Sequence, residues 1–210
     1  MDRISLMEKY FIDVLPEKLD DSSEYPIFLV AIGEKKGAVT MNADEDQVEL
    51  LKMLCQDLGL HYEIGEGRKS KPSKAVGENK NLDQRGFFIS NKKKHLEVLE
   101  DGRFYGFSDR SVGKFLGFPD KAIEFFEAHE QPAMVSRKKI AEMREDGSFG
   151  EELKYLNLVT YIPPPEAECV EKGIEKGRER EELMERYDGE NGTDIGKKYL
   201  EKRFSRNLYR

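Results

Sequence analysis

Three histidines, two cysteines and two clusters of basic residues are the side chains of this chain best suited to chemistry. A histidine does acid–base work near neutral pH or binds metal through a ring nitrogen, and a thiolate is both nucleophile and metal ligand. His61, His95 and His129 stand far apart, and no two share a metal-ligand spacing. Cys55 and Cys169 have no Cys-x-x-Cys partner, which excludes a cysteine-rich zinc site and a disulfide framework. Cys55 falls in step with Leu51 and Leu58, the pattern of a small residue on a buried helical face. Cys169 opens a polar helix and has no activating neighbour in sequence. No Gly-x-Ser-x-Gly elbow, Walker loop or dinucleotide fingerprint occurs. The turn Gly65, Glu66, Gly67, Arg68 carries an acid between its glycines, which repels phosphate. These residues therefore predict no catalytic motif, metal or cofactor, and leave open an enzyme whose groups assemble only in the fold.

The basic clusters point to a different chemistry. Lys69, Lys71, Lys74, Lys92, Lys93 and Lys94 bracket Phe87, Phe88 and Ile89. Aromatics beside lysines can hold single-stranded nucleic acid by stacking plus phosphate contact. Near the C-terminus, Lys197, Lys198, Lys202, Arg203, Arg206 and Arg210 outnumber Asp194 and Glu201. The plainer reading places the phenylalanines in the core and the lysines in solvent. It docks the tail on the protein's own acidic surface, burying Ile195, Tyr199 and Leu208.

Ser108 to Glu130 has the spacing of a helix-turn-helix. Gly113, Gly117 and Ile123 occupy the small, turn and inward-packing positions, with Val112, Leu116 and Phe126 as flanking core and Asp109 and Asp120 as caps. The outward face of the second helix, Asp120, Lys121, Glu124, Glu127 and Glu130, holds one base against four acids. A recognition helix needs the opposite balance to enter an anionic groove. A structural hairpin is the reading preferred. Gly113 to Phe126 resembles the Leu-Gly-aromatic-Pro hairpin of an uncharacterised archaeal family of unknown function, across a fifth of the chain or less. Lys121 and Ala122 stand where that family has cysteines, so the resemblance implies an archaeal origin and lends no thiol or metal chemistry.

The elements that must position these residues follow from periodicity and turn residues. Ile4, Met7, Phe11 and Leu15 predict a helix over 3–15 closed by Pro16. The apolar run Tyr25 to Ile32, a turn at Gly33 to Gly37 and Ala38 to Met41 predict a β-hairpin. Asn42 or Asp44 caps a helix with Val48, Leu51, Leu54, Cys55 and Leu58 on one face, ending near Gly59. His61 to Ile64 and Gly86 to Ser90 read as strands, Asn91 to Val98 as a short helix and Val135 to Arg144 as another helix. Tyr155 to Ile162 reads as a late strand stopped by three prolines. From Glu166 the chain is polar and helix-prone.

Composition bounds the rest. The 42 acids and 35 bases give a net charge of −7 at 37% charged residues, so the surface is densely ionic and holds no overall attraction for nucleic acid or anionic lipid. Twelve Phe and nine Tyr supply bulk for a core. The longest apolar run falls far short of the roughly 20 residues of a spanning helix, and the N-terminus lacks a signal-peptide hydrophobic region. A cytoplasmic, soluble α+β protein is expected, with a small sheet, flanking helices and a mainly helical C-terminal half. Its segments would be a lobe over 1–66, a basic loop over 67–84, a strand and hairpin region over 85–165, and a polar helical extension over 166–210, alternatively all one domain. The function expected is a non-catalytic binding or accessory protein for an unknown protein or small molecule. Nucleic acid is the alternative, through Lys69, Lys71, Lys92, Lys93, Lys94, Lys197, Lys198, Lys202, Arg203 and Arg206; no membrane partner is expected.

Overall fold

The α+β class holds: a small antiparallel sheet with flanking helices is present in a computed structural model that describes residues 1–66 and 85–206. The chain divides into two compact units, Met1–Gly117 and Phe118–Arg210. The division falls inside the expected hairpin, whose first helix closes one unit and whose second opens the other. Lys69, Lys71, Lys74, Leu208 and Arg210 lie outside the described residues.

In the N-terminal unit, α1 (Arg3–Glu8) is capped by Asp2, whose carboxylate accepts from the Ser5 N–H at 2.9 Å. It runs through a π-helical stretch, Lys9–Val14, into α2 (Leu15–Lys18). Pro16 does not end the helix as expected. It sits near the start of α2, directly after the π-helical stretch, and the helix continues past it to Lys18. The expected strand at Tyr25 to Ile32 is instead part of α3 (Asp21–Ala31), with Pro26 inside it. An unbroken apolar run fits a buried strand or a helix buried all round, and periodicity does not separate them. The caps do: Asp20 accepts from the Ser23 N–H, and Gly33 follows the helix at φ +85°.

The sheet then forms from β1 (Gly37–Ala43), β2 (His61–Ile64) and β3 (Arg85–Ser90) in the order β1-β3-β2. Between β1 and β2 runs α4 (Glu45–Leu58), closed by a reciprocal Asp44/Gln47 capping box and by Gly59. Val48, Leu51, Leu54, Cys55 and Leu58 are buried, as their spacing requires. Both pairings of β3 are antiparallel, with Gly37 opposite Ser90 and His61 opposite Ser90 on the other side. After β3 come α5 (Lys93–Leu96), β4 (Asp101–Phe104) and α6 (Asp109–Phe115). Phe88 packs with Tyr105, Val112 and Phe115 on one face of the sheet. Phe87 and Ile89 point to the opposite face and are buried there; α3 and α4 lie against these strands.

In the C-terminal unit, α7 (Asp120–Ala128) is followed by α8 (Pro132–Glu145) and a 3-10 segment, Gly150–Leu158. The expected strand at Tyr155 to Ile162 is absent. The buried Leu153 and Leu156 stand three apart, the 3-10 period, and join Ile140, Val170 and Ile174 in one cluster. The carbonyls a strand would give to a neighbour go to arginines: Arg180 donates to Leu158 O at 2.7 Å and Arg203 to Asn157 O at 2.6 Å. Both donors come from the last two helices, α9 (Ala167–Asn191) and α10 (Ile195–Phe204). The start of α10 is capped from α9, since the Asp188 carboxylate accepts from the N–H groups of Gly196 and Lys197 at 2.9 and 2.7 Å. No helix among the described residues is long and apolar enough to cross a membrane.

Candidate binding site at the β2 edge

The sequence candidates fare unevenly once placed. Lys92, Lys93 and Lys94 are exposed in a row, but Phe87, Phe88 and Ile89 between the lysine clusters are wholly buried. No base can stack on them, because β3 is the central strand with a packed layer on each face. In the tail, Lys197 is exposed and Lys198, Lys202 and Arg206 are half-buried. Arg203 is buried and committed to Asn157 O, while the Arg206 carbonyl accepts from the Asn157 amide. That end of the cluster holds α10 against the 3-10 segment, which removes Arg203 from any phosphate-binding set.

The hairpin face is acidic as expected, with Asp120, Glu124, Glu127 and Glu130 exposed and Lys121 3.3 Å from Glu168. Two details differ from the expected pattern. Ser108, rather than Asp109, caps α6 through the Ser111 N–H, and Pro119 precedes α7 so that Asp120 is its first residue. Phe126, expected in the core, is 48% exposed. Gly117 has φ +71°, the left-handed conformation its turn position requires.

Both thiols are buried and held in the protonated form. Burial pushes Cys55 up to about 12, and burial together with the Glu166 carboxylate raises Cys169. Among the described residues no three His, Cys, Asp or Glu side chains converge where they could hold a metal ion.

One pairing with catalytic elements went unseen in the sequence: Ser90 Oγ lies 3.1 Å from His95 Nδ1. Its geometry is structural. The Ser90 hydroxyl donates to Lys36 O at 2.6 Å and accepts from the Lys92 N–H at 3.2 Å, so its proton points away from the imidazole. His95 must then present Nδ1–H, and a ring that donates to the serine is no general base for it. Burial holds the His95 pKa below 6.5; the Lys36 carbonyl opposes this, and the ammonium groups of Lys92, Lys94 and Lys36 add to it. As pH falls below 6.5 the unfolded chain takes up this proton first, so stability is full above that value and declines toward the lower folded pKa. Urea midpoints should therefore drop more between about pH 7.5 and about pH 5.5 in the parent than in a His95→Asn variant.

The site with open geometry lies beside β2. An open cleft of about 450 Å³ is lined by Leu60, His61, Tyr62, Glu63, Lys93, Leu96 and Glu97. Successive strand residues point to opposite faces, so a cleft that touches three β2 residues in a row, His61 to Glu63, borders the outer edge of the strand, with Lys93, Leu96 and Glu97 across from it. The backbone pattern agrees. Gly65 N–H donates to Gly86 O at 2.8 Å, which makes the residues in phase with it, His61 and Glu63, the ones bonded to β3. Tyr62 and Ile64 therefore aim N–H and C=O away from the sheet, and no described residue takes them. Glu66, next in that phase, has its N–H taken by Tyr105 O at 2.9 Å, which stops the open edge at Gly65. Tyr62 is 41% exposed and stacks on Phe87 at 5.0 Å, which rigidifies the strand without covering it. His61 to Ile64 was legible as a strand. Its edge position was not, because β3, from beyond residue 84, inserts between β1 and β2.

Comparison with protein-family models, with curated proteins and with solved structures finds no match to this chain.

Proposed function

We propose that this chain is a non-catalytic binding or accessory protein, and that it takes an extended protein segment along the outer edge of β2. The observation that carries this reading is the pair of outward-facing backbone units at Tyr62 and Ile64, the first of which lines the cleft. An edge of this kind recognises an added strand through main-chain hydrogen bonds, with side-chain pockets supplying selectivity. Leu60 and Leu96 give the cleft an apolar centre, while Lys93, Glu63 and Glu97 place both signs of charge around it. The buried, protonated thiols and the committed proton of Ser90 fit a protein that works by contact.

A displayed library of extended peptides supplies the probe. Bound peptides should slow exchange of the Tyr62 and Ile64 amides at least about tenfold and leave the Glu63 amide, already bonded to β3, unchanged. Ile64→Pro should abolish binding while the fold persists, since that N–H is not part of the sheet. Peptides that bind without altering these amides, or that still bind the proline variant, would place recognition elsewhere and end this reading.

A further inference from the structure

We propose that the strand received at the β2 edge is β2 of a second copy of this chain, so that two copies join their sheets across a two-fold axis. The inference rests on the reading of β2 as a pairing edge and names its occupant. A symmetric antiparallel pairing must set outward-pointing residues opposite one another, which leaves three registers for a strand this short. Pairing Ile64 with Ile64 of the second copy brings Tyr62 opposite Glu66, whose N–H Tyr105 O already holds. Pairing Tyr62 with Ile64 sets Glu63 directly against Glu63, a repulsive like-charge pair. Pairing Tyr62 with Tyr62 does neither.

In that last register each His61 stands opposite Glu63 of the second copy, twice by symmetry, on one face of the joined sheet. On the other face the two tyrosines meet, flanked by Leu60 opposite Ile64 of the second copy. Leu60 N–H is held by Cys55 O at 2.8 Å, but no described residue takes its carbonyl, which is free to accept from Ile64 N–H. The junction thus has about four backbone hydrogen bonds, two imidazole–carboxylate pairs and an apolar centre. Acidic and basic positions on this strand complement each other in the antiparallel sense, which a strand built to take an acidic or a basic peptide would not show. So small an interface makes a weak dimer that forms with concentration.

The test is sedimentation equilibrium of the full chain from about 10 µM to about 1 mM. The mass should rise from one chain toward two. Glu63→Lys and His61→Glu, both at exposed positions, should each weaken association at least about tenfold. The double variant His61→Glu with Glu63→His exchanges the partners and should restore it to within about twofold. A chain that stays monomeric throughout, single variants that associate like the parent, or a double variant as weak as the singles overturns the proposal. A monomeric chain whose Tyr62 and Ile64 amides are still protected by library peptides removes self-pairing and keeps the binding reading. Protection by neither removes both.

Discussion

Replacing Gly177 with alanine should destabilise the C-terminal unit by about 2–4 kcal/mol, although alanine is the better helix former by about 1 kcal/mol. Gly177 lies in the interior of α9, where propensity alone favours the change. A Cβ there would stand 2.2 Å from Tyr155 O and 2.8 Å from Tyr155 C, which are backbone atoms of the 3-10 segment with no rotamer to escape by. Gly173, one turn earlier on the same face, meets a side chain instead, with Leu156 Cδ2 2.7 Å from where its Cβ would stand. The helix must then back away from the segment and open the cluster of Leu153, Leu156, Val170 and Ile174. Gly189→Ala in the same helix is the control, because nothing lies within 4 Å of its added methyl. It should gain up to about 1 kcal/mol. Urea unfolding followed by circular dichroism reads both, and two changes of the same sign would refute the close-approach argument.

Lys35→Met should cost about 3 kcal/mol, an unusual loss for a lysine. The Lys35 side chain is buried, and its ammonium donates to Gly37 O at 2.7 Å and to Leu116 O. Leu116 directly follows α6, so that carbonyl belongs to the negative end of a helix, and the ammonium ties the start of β1 to it. Methionine keeps the apolar stem but leaves the buried Gly37 carbonyl and the half-buried Leu116 carbonyl without their charged donor, the asymmetry that makes breaking such a contact expensive. The neighbouring Lys36 is exposed, and Lys36→Met should move stability by less than about 0.5 kcal/mol. Equal urea midpoints for the two variants would show that Lys35 is not the tie described here.

Where local chemistry decided the structure, the sequence was readable. The Asp44/Gln47 box, the apolar face of α4 and the stop at Gly59 are all short-range, and so is the left-handed turn at Gly117. Two apolar, β-prone runs were misread, and for one reason. Tyr25 to Ile32 became most of α3 and Tyr155 to Ile162 became the end of a 3-10 segment and the coil after it. A strand needs a neighbour, and each run found other partners for its backbone. Asp20 and Gly33 held the evidence for α3 in sequence. Nothing local marked Arg180 and Arg203, which reach back 22 and 46 residues to Leu158 and Asn157. Gly173 and Gly177 were a legible signal passed over, two glycines four apart inside a charged helix.

By itself the sequence determined the α+β class, the capping box and apolar face of α4 and the acidic surface of α7, because these depend on side-chain chemistry within a turn or two of the chain. Only the tertiary structure decided which histidine meets a serine, which arginine is buried and which strand is left at an edge. Those depend on the insertion of β3 between two strands from the other side of residues 67–84, and on helix backbones that touch only where glycine stands. Pairing order and close approach are long-range relations, and no window of residues contains them.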